Sequence, residues 1–399
     1  MLTKERKIKL IDLCSSLIRT RSYSGEEKQI ILQLQQIFKN NGCRNIYIDK
    51  FGSITAGFKG KRQGKKLLFD NHVDTVPVTN PSLWKHDSFG GDINNHRIYG
   101  RGSSDMKGAL AAAIMAVEYF IADTQNDFAG EIIISGVVQE ESFEGIASRN
   151  ISNRLKPDFI VIGEASNLNL VRGQRGRAEI IVETFGKPAH SANPKEGLNA
   201  VYKMTKLIEK IQHLSVSHHP ILGKGILELT DIKSSPYPGL SVVPDYCKST
   251  FDRRLLIGET KQNVLAPIKT LIKKIQNLDP DFKARVSYSF GKEICYTDTD
   301  IEAERFFPAW LYNEDEKFIQ TAYQGLKEIG LDPEITVYSF CTNGSHYAGE
   351  AGIKTIGFGP SKENQAHVND EYIEISQLTG ACRGYYGIMN ALLDGAIPL

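Results

Sequence analysis

The chain contains no run of the roughly 18 apolar residues that a membrane-spanning helix needs, so none is expected. It has no excess of charge: 48 Lys plus Arg stand against 47 Asp plus Glu, a formal +1. That balance gives no general attraction to nucleic acid or to an anionic membrane, and neither is expected as a partner. The Lys-rich beginning is not followed by an apolar core and small-residue cleavage site, so it does not read as a signal peptide. Cysteine is sparse. Cys14, Cys43, Cys247, Cys295, Cys341 and Cys382 are scattered, and none forms a C-x-x-C pair. A zinc ribbon and a dithiol redox site are thereby excluded. Reduced, mostly buried thiols of a cytoplasmic protein are expected instead. Low-complexity segments and solenoid repeats are also missing.

What is present is a chain of 399 residues, 41% hydrophobic and 24% charged, within the ordinary globular range. That length allows two or three domains and a core that needs no staples. Ile8, Ile11, Cys14, Leu17 and Ile18 recur at helical spacing and predict a first helix. Ser24 with Glu27 three residues on predicts a capping box for a second helix, over Ile30, Ile31 and Leu34. Short β-like runs follow at 45–49, 53–58 and 66–69, with a loop or hairpin over the Lys-rich 59–66. An Ala-rich helix covers 108–122. Runs 131–138 and 158–162 read as buried strands. Strands alternating with helices predict an α/β layer fold.

The middle of the chain has a different order. Strand 177–185, helix 196–212, strands 226–232 and 246–253, helix 260–276 and strand 283–290 make a βαββαβ ferredoxin-like unit. A helix at 314–328, strands at 334–338 and 354–358, and a final helix at 373–393 then resume the first pattern. The expected organisation is a discontinuous catalytic domain, 1–175 and 292–399, with an inserted domain, 176–291.

Five places carry candidate chemistry. His72-Val73-Asp74 follows an apolar strand, where ligands gather in open α/β sheets. The loop 100–108 holds Asp105 and is neither G-x-G-x-x-G nor a P-loop, which sets aside a nucleotide site. Gln139-Glu140-Glu141 and Gly163-Glu164 each follow a buried strand, and His367 precedes the last helix. Singly, these read equally well as a loop His, an N-capping Asp and solvated strand-end turns. Together, two imidazoles and several carboxylates suit zinc, cobalt or manganese. The donors are too many for one tetrahedral zinc and fit two metals sharing a carboxylate.

With these motifs, and with Gly186-Lys187-Pro188-Ala189-His190-Ser191, nearly the whole chain resembles the dizinc peptidase and deacylase superfamily. That group includes aminoacylases, ArgE-type and DapE-type deacylases and glutamate carboxypeptidases, and the closest likeness is to the YgeY-type hydrolase branch. The resemblance implies a zinc-peptidase-like three-layer catalytic domain with a mixed, largely parallel sheet, and a ferredoxin-like insert acting as lid and dimerisation domain. It implies that His72 and Glu164 bind one metal, His367 and Glu141 the other, and that Asp105 bridges them. Asp74 would orient the ring of His72. Glu140 would be the general base acting on a metal-bridged water. His190 would stabilise a developing oxyanion, and Arg254 and Asn343 would bind substrate. A non-proline cis peptide is implied at Asp105–Met106.

The implied reaction is cleavage of the C–N bond of an N-acyl amino acid or short peptide with a free carboxylate. Two divalent ions would assist, zinc by default with cobalt or manganese as substitutes, in a homodimer. Alternatives are a ureido or carbamoyl substrate, and a non-catalytic ligand-binding relative that would lack Glu140 or the ligands. Ser103-Ser104, Ala109 and Ser241 depart from the family pattern. His86, His96, His213, His218, His219 and His346 match no metal position.

Overall fold

A computed structural model describes residues 2–393; positions 394–399, inside the expected catalytic segment, lie outside the described residues. Its strands include β1 (Asn45–Ile48), β2 (Ile54–Lys59), β3 (Arg62–His72), β4 (Ala129–Val137), β5 (Phe159–Ile162), β6 (Leu170–Gln174), β7 (Gly176–Phe185), β8 (Ile226–Ser235), β9 (Tyr246–Leu255), β10 (Lys283–Tyr288), β11 (Ile335–Tyr338) and β12 (Lys354–Gly357). The helices are α1 (Lys4–Arg19), α2 (Lys28–Asn40), α3 (Gly108–Thr124), α4 (Ser148–Leu155), α5 (Ala200–Gln212), α6 (Lys261–Leu278), α7 (Lys317–Glu328) and α8 (Ile375–Leu392).

The chain forms two compact units. One takes residues up to 174, then 292–302, then 311 onward; the other takes 175–291 and 303–310. The first is an α/β fold around a mixed sheet in the order β1-β2-β4-β3-β5-β12-β6, with β11 beside β6. Pairings β3–β4, β3–β5, β5–β12 and β6–β11 are parallel, while β1–β2 and β2–β4 are antiparallel. The parallel strands read as continuous apolar runs because both sheet faces are covered. Neighbouring β3 residues show this: Phe69 packs its ring on Tyr385 of α8, and Asp70 takes the hydroxyl of Tyr347 on the other face. Helix α3 is buried almost all round, as its Ala-rich composition requires.

Register decides where the chemistry sits. His72 lies opposite Val137, and Asp70 lies opposite Ile162. Three adjacent parallel strands therefore end together, and the residues just beyond them emerge along one edge.

The second unit has the antiparallel order β8-β9-β7-β10. In chain order it runs β7-α5-β8-β9-α6-β10. Ile180, Val182, Met204, Leu207, Phe251, Ile268 and Ile272 form its own core.

Several local expectations are corrected. Ile8 is 49% exposed, and the buried stripe of α1 is Leu10, Cys14, Leu17 and Ile18. The Lys-rich 59–66 segment is mostly the start of β3 rather than a loop. The short strand β6 gave no alternation in sequence and was not expected. Helix α2 has no capping box: Glu27 caps it without a side-chain hydrogen bond. All six cysteines are free and buried. No described helix is long and apolar enough to cross a membrane.

Candidate metal centre

His72, Asp74, Asp105, Glu140, Glu141, Glu164 and His367 come together in the first unit. His72 ends β3 and is buried. Its Nδ1 meets the main-chain carbonyl of Asp74 at 2.9 Å, which fixes Nε2 as the atom facing the site. The Asp74 carboxylate is 3.7 Å from the ring and does other work. Its Oδ1 accepts from Glu140 N and its Oδ2 from Glu141 N, both at 3.0 Å. The orienting contact to His72 thus comes from the Asp74 main chain rather than from its side chain.

Asp105 lies between the two imidazoles. Oδ1 is 2.8 Å from His72 Nε2, and Oδ2 is 3.1 Å from His367 Nε2. Glu164 Oε1 is 3.4 Å from His72 Nε2, and Glu141 Oε2 is 3.1 Å from His367 Nε2. Such separations match the edges of roughly 3.3 Å between donors that share one ion at ordinary zinc bond lengths. Two groups, His72 with Glu140 and Glu164, and His72 with Asp105 and Glu141, each bring their donor atoms within 4.8 Å of one another. Glu140 is buried, and its Oε1 has no hydrogen-bond partner among the described residues. Four carboxylates and two imidazoles in so confined a space carry a surplus of negative charge that divalent cations would neutralise.

The protonation balance shows the same crowding. Burial, then the repulsion of Asp105, pushes Glu141 up to about 7. Burial, then repulsion from Glu164, Glu141 and Glu144, outweighs the attraction of His72 and holds Glu140 well above the carboxylate range. Hydrogen bonds to Asp105 and then Glu141 raise His367 to about 10. Burial opposes charge on Asp105, but His367 and His72 outweigh it and lower its value.

The Asp105 loop is held from behind. Glu371 accepts from Ser104 N at 2.8 Å and from Asp105 N at 3.2 Å, and from Arg101 Nη1 at 2.6 Å. The Asp105–Met106 peptide is cis. Asp70, Arg101 and Glu371 are not among the residues the sequence motifs mark. Arg101 lies inside the glycine loop 100–108 and Glu371 four residues past His367, whereas Asp70 follows the apolar run 66–69 with no motif to mark it.

Asn343 needs correction. It is 2% exposed and its amide is engaged at both ends: Nδ2 donates to Asp70 Oδ2 at 2.9 Å, and Oδ1 accepts from Gly145 N at 2.7 Å. It ties the buried Asp70 carboxylate to the Gly145 main chain, a structural placement rather than a surface facing a substrate. His346 is likewise structural, bridging Ser152 and Glu350.

His190 and Arg254 belong to the second unit. His190 is exposed, and its Nδ1 accepts from Ala192 N at 3.1 Å. Alternation along β9 separates the two neighbouring arginines. Arg253 is buried and paired with Glu259. Arg254 is partly exposed, with Nε 3.0 Å from Asp252.

A cluster of imidazoles and carboxylates on the carboxyl edge of a largely parallel sheet makes this an α/β protein with a candidate metal centre. The sequence assigns the family: residues 68–391 match the profile of Peptidase family M20/M25/M40, and the chain belongs to it. It is 32% identical over 381 residues to the uncharacterized protein YgeY of Escherichia coli (strain K12), covering 93% of this chain and 91% of that one. It is 24% identical over 392 residues to succinyl-diaminopimelate desuccinylase 2 of Ruegeria sp. (strain TM1040), covering 94% and 93%. The fold matches the M20 family metallo-carboxypeptidase Sso-CP2 from Sulfolobus solfataricus at a TM-score of 0.76, with 17% identity over 98% and 99% of the two chains. The protein is a metal-dependent hydrolase acting on C–N bonds, of a family whose sites are typically dinuclear.

Proposed function

We propose that the protein hydrolyses the amide bond of an N-acyl amino acid or short peptide bearing a free carboxylate. The observation that carries this is Asp105, whose two oxygens each face a different imidazole. His72 and Glu164 would hold one divalent ion, His367 and Glu141 the other, and Asp105 both. Zinc is the ion we assign, with cobalt or manganese as substitutes. Bound there, the ions would acidify a water and polarise the scissile carbonyl.

Glu140 remains as the proton carrier. It takes the proton of the attacking water and delivers it to the leaving nitrogen. Its buried Oε1, without a hydrogen-bond partner among the described residues, supports this role. Asp74 fixes the two glutamates through their main-chain N–H groups.

We assign the second unit as lid and dimerisation domain. His190 would contribute to oxyanion stabilisation, and Arg254 would bind the substrate carboxylate with its guanidinium fork. Exposed Tyr202, Tyr237 and Leu240, and the open edge of β8, support a surface for a second copy. Six free buried thiols support a cytoplasmic location.

The test is amine release from a panel of N-acyl amino acids and dipeptides by chelator-stripped protein resupplied with zinc, cobalt or manganese. Metal-dependent release that requires a free carboxylate is expected. Silence with two metals bound would move the substrate to ureido or carbamoyl compounds. Silence without stoichiometric metal would overturn the ligand assignment.

A further inference from the structure

We propose that Glu27, assisted by Ser24, is a positioning residue for the turn that carries Glu140 and Glu141; the proposal rests on the function assigned above. Ser24 and Glu27 have the spacing of a helix capping box, yet neither side chain caps α2. Glu27 stands at the N-cap with no side-chain hydrogen bond to its own helix. Its side chain is instead fully buried, and Oε1 accepts from Gln139 N at 3.1 Å, across 112 positions of chain. Ser24 Oγ donates to Asp74 Oδ2 at 2.8 Å.

The consequence appears in the turn itself. Gln139, Glu140 and Glu141 present three successive main-chain N–H groups, and each ends on a carboxylate oxygen: Glu27 Oε1, Asp74 Oδ1 and Asp74 Oδ2. Successive N–H groups of this kind make a concavity that attracts anions. Here the chain fills it with its own two acids. The turn is therefore gripped through its backbone, and the grip uses neither the Glu140 nor the Glu141 side chain. Gln139 has φ 59°, a left-handed conformation that a residue with a side chain adopts only when its surroundings enforce it. The Glu27 bond falls on that residue. Gln139 Nε2 adds a contact to Ile294 O at 3.4 Å. Asp74 alone cannot set the turn, because it holds only the two later N–H groups. Glu27 supplies the third and fixes where the turn begins, directly before Glu140.

The test compares Glu27→Met, which keeps volume and removes the acceptor, with Glu27→Gln, which keeps an acceptor oxygen and removes the charge. Ser24→Ala is the milder companion, in case the Met variant does not fold. Three readouts are taken on the full chain: hydrogen exchange of the segment around 139–141 in chelator-stripped protein, cobalt affinity with its absorption spectrum, and kcat and KM. For Glu27→Met, exchange should accelerate at the turn, and cobalt affinity and kcat should each fall by about 10–100-fold, the usual cost of losing a partner behind a metal site. KM should hold. Glu27→Gln should recover most of the loss, and Ser24→Ala should show a smaller effect of the same sign. The proposal is overturned if Glu27→Met matches wild type in all three. It is also overturned if Glu27→Gln fails as fully as Glu27→Met and exchange rises uniformly across the chain. Wild-type protein that neither binds cobalt nor releases amine would sink the functional reading instead. Local exchange at 139–141 would then still decide whether Glu27 sets the turn.

Discussion

Arg101 Nη1 donates to Glu371 Oε2 at 2.6 Å with both side chains buried, joining positions 270 apart in sequence. Such a pair adds little net stability, because desolvation offsets the attraction, but breaking it strands a buried charge. Glu371 also holds the N–H groups of Ser104 and Asp105. Glu371→Ala should therefore destabilise the protein by about 3–5 kcal/mol. Urea unfolding measures it. Glu371→Gln, which keeps an acceptor for Ser104 N, should lose less; equal losses would show that the loop contact is unimportant.

Glu140→Gln separates metal binding from proton transfer. The variant should retain wild-type metal stoichiometry and lose about 10²–10⁴-fold in kcat, the range assigned to a positioned acid–base group. Metal analysis beside steady-state kinetics decides it. Wild-type turnover would remove Glu140 from its role.

Metal removal should be visible in stability. A cation that binds only the folded cluster adds about 2.7 kcal/mol at a hundredfold excess over its Kd. Chelation should lower the thermal midpoint and zinc should restore it. Because the donors must shed protons to bind, the restored increment should shrink as pH falls. An unchanged midpoint across both treatments would argue against the cluster as a metal site.

Glu350 offers a pH test away from the site. Burial would raise its carboxyl, but hydrogen bonds from His346 and Arg149 outweigh burial and bring it from 4.5 down to about 2. A depressed carboxylate contributes stability that is complete above its unfolded value and is lost as pH falls towards the folded one. Wild type should therefore exceed Glu350→Gln in stability by a constant margin near neutral pH. The margin should narrow below about pH 4.5. Thermal midpoints at several pH values check this, and a gap that widens on acidification would refute it.

Sequence order alone carried much of the architecture. Apolar runs such as Ile132–Ile134 and the Ala-rich α3 declare themselves because a parallel sheet buried on both faces tolerates little else. His72, Glu140, Glu141 and Glu164 were legible because each lies at or just past the end of such a run, and Asp105 because it interrupts a glycine loop. Their place in line along the chain also implied a family, and the match over residues 68–391 assigns it.

What the chain order could not show is which partner a polar side chain chooses. Ser24 and Glu27 carry the local signature of a helix cap, and a cap competes on nearly equal terms with any other acceptor or donor within reach. Only the packing of α2 against the end of β4 brings Gln139 N to Glu27 and diverts it. The resemblance puts Asn343 at a substrate, and Asp70 lies just past the apolar run 66–69 with no motif of its own. The fold buries both and leaves them to satisfy each other, because a buried carboxylate must find donors wherever the chain supplies them. Residue types and their order thus determined the class of chemistry. Register, burial and the satisfaction of buried polar groups, which depend on segments hundreds of residues apart, decided which side chains face the site and which hold it in place.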